Sequence, residues 1–82
     1  MRPLSEADAR RQLAARVVLL RRGKQWTQQA LATRAGLPRS YVADVEGARR
    51  NPSLHTLLRL ANALGVPLHQ LFTPEAAASG KS

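Results

Sequence analysis

The chain has 82 residues, enough for one small domain that buries only about 60% of its unfolded surface. It has no cysteine, which removes disulfides and thiolate metal sites, and its two histidines, His55 and His69, have no second histidine or carboxylate at ligand spacing. Thirteen Lys and Arg stand against five Asp and Glu, a net charge of +8, and eleven of the thirteen are Arg, whose planar fork suits phosphates and base edges.

The predicted elements are helical throughout, with brief punctuation by Gly and Pro and neither a strand pattern nor an internal repeat. The first four residues are expected to fray. "SEAD" reads as a capping box, with Ser5 as N-cap and Asp8 reaching back, so a first helix starts there. Leu13, Val17, Leu20 and Val18 supply its apolar face, Arg10, Arg11, Arg16, Arg21 and Arg22 fill other positions, and Gly23 is the expected stop. Thr27 is a good N-cap for a second helix over residues 28–35, ending at Gly36. A third starts at Pro38 or Arg39 and ends near Gly47, Pro suiting a first helical position. Ser53 caps a fourth, whose stripe is read as Leu54, Leu57, Leu58, Ala61 and Leu64, with Gly65 as its stop. Pro67 opens a last short helix with Leu68, Leu71 and Phe72 apolar. Residues 74–82 are small and polar and are expected to fray. The domain therefore spans residues 5–73.

Helices two and three carry the most informative spacing. Ala32 lets a following helix cross close by, and Gly36 supplies a position for positive φ. Val42 and Val45 plug the second helix onto the first. That is the pattern of a helix-turn-helix, whose second helix lies in the DNA major groove; an ordinary helical hairpin is the plainer alternative. Glu46 falls about 40° around the helix from Val42, on the core-facing side. A carboxylate there either finds a hydrogen-bonding cation or lies solvated at the helix end.

Taken with Arg21, the segments "WTQQALATRAGL", "SYVADVEG", "RRNPS" and "LLRLANALGVPLHQLF" resemble the Cro and phage-repressor type of helix-turn-helix regulator, the XRE family, over residues 16–72. The likeness extends to short single-domain members such as restriction–modification controller proteins. It implies an all-α fold, a compact five-helix lambda-repressor-like DNA-binding domain. It also implies binding of a palindromic double-stranded DNA operator as a homodimer, the recognition helix covering residues 38–46. Arg21 and Glu46 match a family pair in which an arginine of the first helix bridges the glutamate ending the recognition helix. By family position, Arg39, Ser40 and Asp44 meet base edges or nearby phosphates. Arginine chemistry favours Arg39 as the reader of guanine. Asp44 either accepts from a cytosine amino group, orients Arg39 from five residues away, or stays solvated. Gln28 is implied to set its helix N-terminus against a phosphate and to brace the recognition helix. Thr27, Gln29, Arg49, Arg50 and Asn51 are further phosphate candidates, and Tyr41 either touches a phosphate or packs against helix two. Two departures stand out: Pro38 replaces the family's Ser or Thr cap, and Glu46-Gly47-Ala48 replaces Glu, any residue, Gly.

Leu60, Val66, Leu68, Leu71 and Phe72 are left as apolar surplus. Leu68, Leu71 and Phe72 are expected at the dimer interface, each with closure of the core as its alternative. No apolar run approaches the roughly 18 residues of a membrane span, and the polar "MRPLSEADARRQ" is no signal core. No membrane partner and a cytoplasmic, nucleoid-associated place in a bacterial or phage-like setting are expected. Neither cofactor nor metal is expected, and no nucleophile–base pair suggests an enzyme. Trp26, Tyr41 and Phe72 do not cluster as single-strand RNA binding would want. The rival readings are an antitoxin, which would add a toxin as partner, and an interaction module that has lost DNA binding. RNA polymerase is a further candidate partner.

Overall fold

The computed structural model describes residues 3–73, which form α1 (Glu6–Gly23), α2 (Gln28–Ala35), α3 (Arg39–Glu46), α4 (Leu54–Leu64) and a short 3-10 helix, η1 (Leu68–Phe72). There is no strand among them. The fifth expected helix is thus a 3-10 turn: five residues opened by Pro67 give too few i→i+4 pairs for an α-helix to gain much. Of the expected tails, Pro3 and Leu4 are described and exposed; residues 1–2 and 74–82 lie outside the described residues.

The caps form where the side chains dictate. Ser5 Oγ accepts from the Asp8 amide at 3.1 Å, and Asp8 accepts in turn from the Ser5 amide at 3.3 Å. Thr27 accepts from the Ala30 amide and Ser53 from the Thr56 amide. At the other ends all four α-helices close with the same paired bonds. Trp26 donates to Arg21, Leu37 to Ala32, Arg49 to Asp44 and Val66 to Ala61, each with a left-handed residue just before the donor. Two of those residues are Gly36 and Gly65; the others are Gln25 (φ 61°) and Ala48 (φ 59°). Gly23, expected to stop α1, is its last helical residue, and the left-handed turn falls two residues later. Ala48 takes the position where the family pattern has glycine, so the left-handed exit from α3 is made by a residue less suited to it.

The core joins Leu13 and Val17 of α1, Leu31, Ala32 and Ala35 of α2, Val42 and Val45 of α3, Leu60, Ala61 and Leu64 of α4, and Leu71 of η1. Fully burying each valine contributes about 1.5–3 kcal/mol. The stripe expected on α4 is corrected. Leu54 is 62% and Leu58 43% exposed, whereas Leu60, expected as surplus, is fully buried. Positions 54, 57, 58 and 61 and positions 57, 60, 61 and 64 satisfy the helical period equally. Packing of α4 against both α2 and η1 selects the second set. Leu71 is corrected too: it is fully buried inside the subunit, so it closes the core and cannot face a second chain.

One buried cation escaped the periodicity. Arg16 donates from Nε to the Gln70 carbonyl at 2.8 Å and from Nη2 to Gln70 Oε1 at 2.7 Å, fastening η1 to α1.

Candidate nucleic-acid interface

Helix α3 is seated by one side and bare on the other. Val42 and Val45 are buried, while Arg39 and Ser40 are exposed and Ala43 and Asp44 half-exposed. Pro38 is its N-cap and supplies no side-chain bond, so the Arg39 and Ser40 end keeps free backbone N–H groups. Arg59, reaching from α4, donates to the carbonyls of Ala35 and Gly36 at 3.4 Å each and so helps fix the turn that aims α3.

Beneath this face lies the Arg21–Glu46 pair. Arg21 Nε reaches Glu46 Oε2 at 2.6 Å and Nη2 reaches Oε1 at 3.0 Å, a bidentate arrangement with both side chains largely out of water. Nη1 of the same guanidinium donates to the Trp26 carbonyl at 2.7 Å. The hydrogen bond to Glu46, then its charge, hold the guanidinium pKa above the usual value against the opposing pull of burial. Gln28 is drawn into the same cluster. Its Nε2 donates to Glu46 Oε1 at 2.9 Å and its Oε1 accepts from Arg39 Nη1 at 3.1 Å. The Gln28 side chain is therefore engaged within the subunit.

Asp44 does not orient Arg39. It accepts from Arg49 at 3.3 Å through Oδ1 and from Arg50 at 3.3 Å through Oδ2. Arg49 also donates to the Ala43 carbonyl. The Arg50 guanidinium stacks on the Tyr41 ring, 4.3 Å from its centroid, and Tyr41 packs against the core by its other side. A spacing of five or six residues is not helical, so these pairs carry no periodic signal. They arise because the left-handed Ala48 turns the chain back along the helix it has left.

The remaining candidates are less gathered. Thr27 is exposed, its hydroxyl oxygen engaged as the α2 cap. Gln29 is exposed and donates to Thr33 within α2. Asn51 accepts from Arg10 Nη1 at 3.0 Å, which ties it to α1 rather than to the α3 face. Trp26 stands immediately before the α2 cap, Thr27. It carries Arg34 on its ring at 4.3 Å and Lys24 at 5.2 Å, adding a second stacked cation cluster next to the α2 N-terminus.

Two short helices joined by a glycine turn, the second seated by two valines and presenting a polar, cation-flanked side, define the helix-turn-helix class. A helix-turn-helix family model (HTH_3) matches residues 19–71, and the chain belongs to that family, in its Cro and phage-repressor (XRE) branch. It is 44% identical over 69 residues to a hypothetical transcription factor of Neisseria meningitidis serogroup B, covering 84% of this chain and 65% of that protein, so the chain spans just under two thirds of that relative. The crystal structure of the Neisseria factor NHTF superposes with a TM-score of 0.83 at 39% identity, over 95% of this chain and 91% of that one. The restriction-modification controller protein C.AhdI from Aeromonas hydrophila superposes with a TM-score of 0.75 at 41% identity, over 77% and 96% of the respective chains.

Proposed function

We propose that the protein is a sequence-specific double-stranded DNA-binding transcriptional regulator, its DNA-binding domain spanning residues 5–73. One observation carries the reading: α3 is fixed to the core by Val42 and Val45 while Arg39, Ser40 and Asp44 stay on its open side. In this reading α3 enters the major groove and Arg39 takes a guanine through O6 and N7. Ser40 contacts an adjacent base edge, and Asp44 accepts from a cytosine amino group once the phosphates compete for its two arginines. Arg49, Arg50 and Tyr41 rest on the flanking backbone. The amino-terminal end of α2, with Thr27, Gln28 and Gln29, meets the phosphates of the neighbouring turn through its free N–H groups. Asn51 has its amide nitrogen left for a phosphate.

Two copies bind a palindrome with half-sites about 34 Å apart. Leu54 and Leu58 on α4, with Leu68 and the 38%-exposed Phe72 on η1, are the apolar side chains we assign to the homodimer contact. Supporting this, Leu54 and Leu58 stand one turn apart on the same exposed side of α4, and grouped apolar side chains of that kind mark interfaces. The relatives named as a transcription factor and a restriction–modification controller make occupancy of an operator near a promoter the natural mode of action. Such a protein works in the cytoplasm, beside the nucleoid.

The direct test is selection from a pool of random duplexes followed by a gel-shift titration at several salt concentrations. A recovered palindrome bound in preference to random DNA is the expected result. Equal affinity for every duplex, or none for any, would overturn the proposal.

A further inference from the structure

Four side chains from three helices form one continuous series of hydrogen bonds: Arg21 to Glu46, Glu46 to Gln28, Gln28 to Arg39. Its inner end is buried and its outer end is exposed. The chemistry of the members gives the series a direction. Glu46 as a carboxylate can only accept, and the Arg39 guanidinium can only donate. An amide between them has one consistent orientation, nitrogen toward Glu46 and oxygen toward Arg39. Oε1 of Glu46 is shared by Arg21 Nη2 at 3.0 Å and Gln28 Nε2 at 2.9 Å, so the bidentate pair holds the carboxylate that holds the amide.

We infer that Glu46 is a positioning residue for base reading, acting through Gln28 on Arg39, and that the buried ion pair belongs to the specificity apparatus as well as to the fold. The inference rests on the reading of α3 as the DNA-reading helix. A long, exposed arginine samples many rotamers and can approach several bases. One whose Nη1 is tethered at 3.1 Å to an amide of fixed orientation is restrained in how it presents its remaining N–H groups. Pre-set geometry of that kind sharpens the difference between one base pair and another more than it raises affinity for DNA in general.

The test uses the operator selected by the wild-type chain and a version altered at the base pair that Arg39→Ala no longer discriminates. The readout is the ratio of the two dissociation constants, with Tm recorded for each variant. Glu46→Gln makes the neighbouring amide's orientation ambiguous. Gln28→Leu breaks the series while leaving the Arg21–Glu46 pair in place, and carries the test where Glu46→Gln fails to fold. Each should lower the ratio about three- to tenfold at that base pair. Neither should lower it further in the Arg39→Ala background. A merely structural role for Glu46, or a phosphate contact by Gln28, would weaken binding to both duplexes alike and leave the ratio unchanged. Wild-type selectivity with an unchanged ratio in the variants overturns this inference alone. Absence of any selected operator for the wild-type chain overturns the functional reading and this inference with it.

Discussion

Arg21 Nε lies 2.6 Å from Glu46 Oε2 although 25 residues separate them in the chain. The pair spans α1 and α3 and so ties the second helix of the motif to the first helix of the domain. Because the arginine pKa is raised, its contribution is fully present below the unfolded-state value and is lost only as pH climbs through the folded-state value, in the strongly alkaline range. Titration of Arg21 therefore leaves stability near neutral pH untouched. Removing one partner is another matter. Arg21→Met leaves the buried Glu46 carboxylate without a counter-charge, although Gln28 still donates to it, and should cost about 3–5 kcal/mol in denaturant unfolding. The double variant Arg21→Met, Glu46→Leu should recover a good part of that loss. If it is no more stable than the single variant, desolvation of Glu46 is not the dominant cost.

Arg39→Ala should reduce preference for the operator over random duplexes by about 1–3 kcal/mol, with a smaller effect on affinity for random DNA. Competition binding with both DNA types measures this. An unchanged preference would remove Arg39 from the base-reading set.

Arg49→Ala combined with Arg50→Ala should weaken binding to all sequences by similar factors. The log–log salt slope should become shallower by about 0.9 for each lost phosphate contact. A loss confined to the operator would instead assign one of these arginines to base reading.

Ala48 stands at φ 59°, a conformation that glycine adopts without strain. Ala48→Gly should therefore stabilise the fold by up to about 1 kcal/mol, despite the greater freedom it gives the unfolded chain. A rise in Tm of a few degrees is the expected calorimetric result. A fall would mean that unfolded-state entropy outweighs relief of strain.

Phe72→Glu and Leu58→Glu should each yield monomers in sedimentation, with the far-ultraviolet helical signal retained. Leu71→Ala should behave differently, losing about 2–5 kcal/mol of stability because its side chain fills the core. Dimers that survive both glutamates would move the interface to another surface.

The helices were legible in the residues because their signals are local. Ser5, Thr27 and Ser53 cap where a short polar side chain precedes an apolar period, and Gly36 and Gly65 close helices where left-handed backbone is needed. The outward side of α3 was legible for the same reason: Val42 and Val45 set the buried side, and Ser40 and Asp44 follow from the pitch. A carboxylate on that buried side has to find a cation, and Arg21 is where Glu46 finds one. What stayed hidden depends on the chain turning back on itself or on elements far apart in sequence. The grip of Asp44 on Arg49 and Arg50 exists only because Ala48 reverses the chain. The Gln70 partner of Arg16 lies 54 residues away. The two apolar registers of α4 are indistinguishable until α2 and η1 choose between them, leaving Leu54 and Leu58 exposed and Leu60 buried.

The tight bend at Ala48 also affects the thermodynamics of an encounter. Each arginine side chain carries about 2 kcal/mol of rotamer entropy, which a cation on a floppy tail must surrender at the moment of contact. Arg49 and Arg50 are already docked on Asp44, and Arg50 on the Tyr41 ring as well, before anything arrives. Both remain substantially exposed, so this docking holds them near α3 and lowers, without removing, the ordering that contact with a phosphate demands.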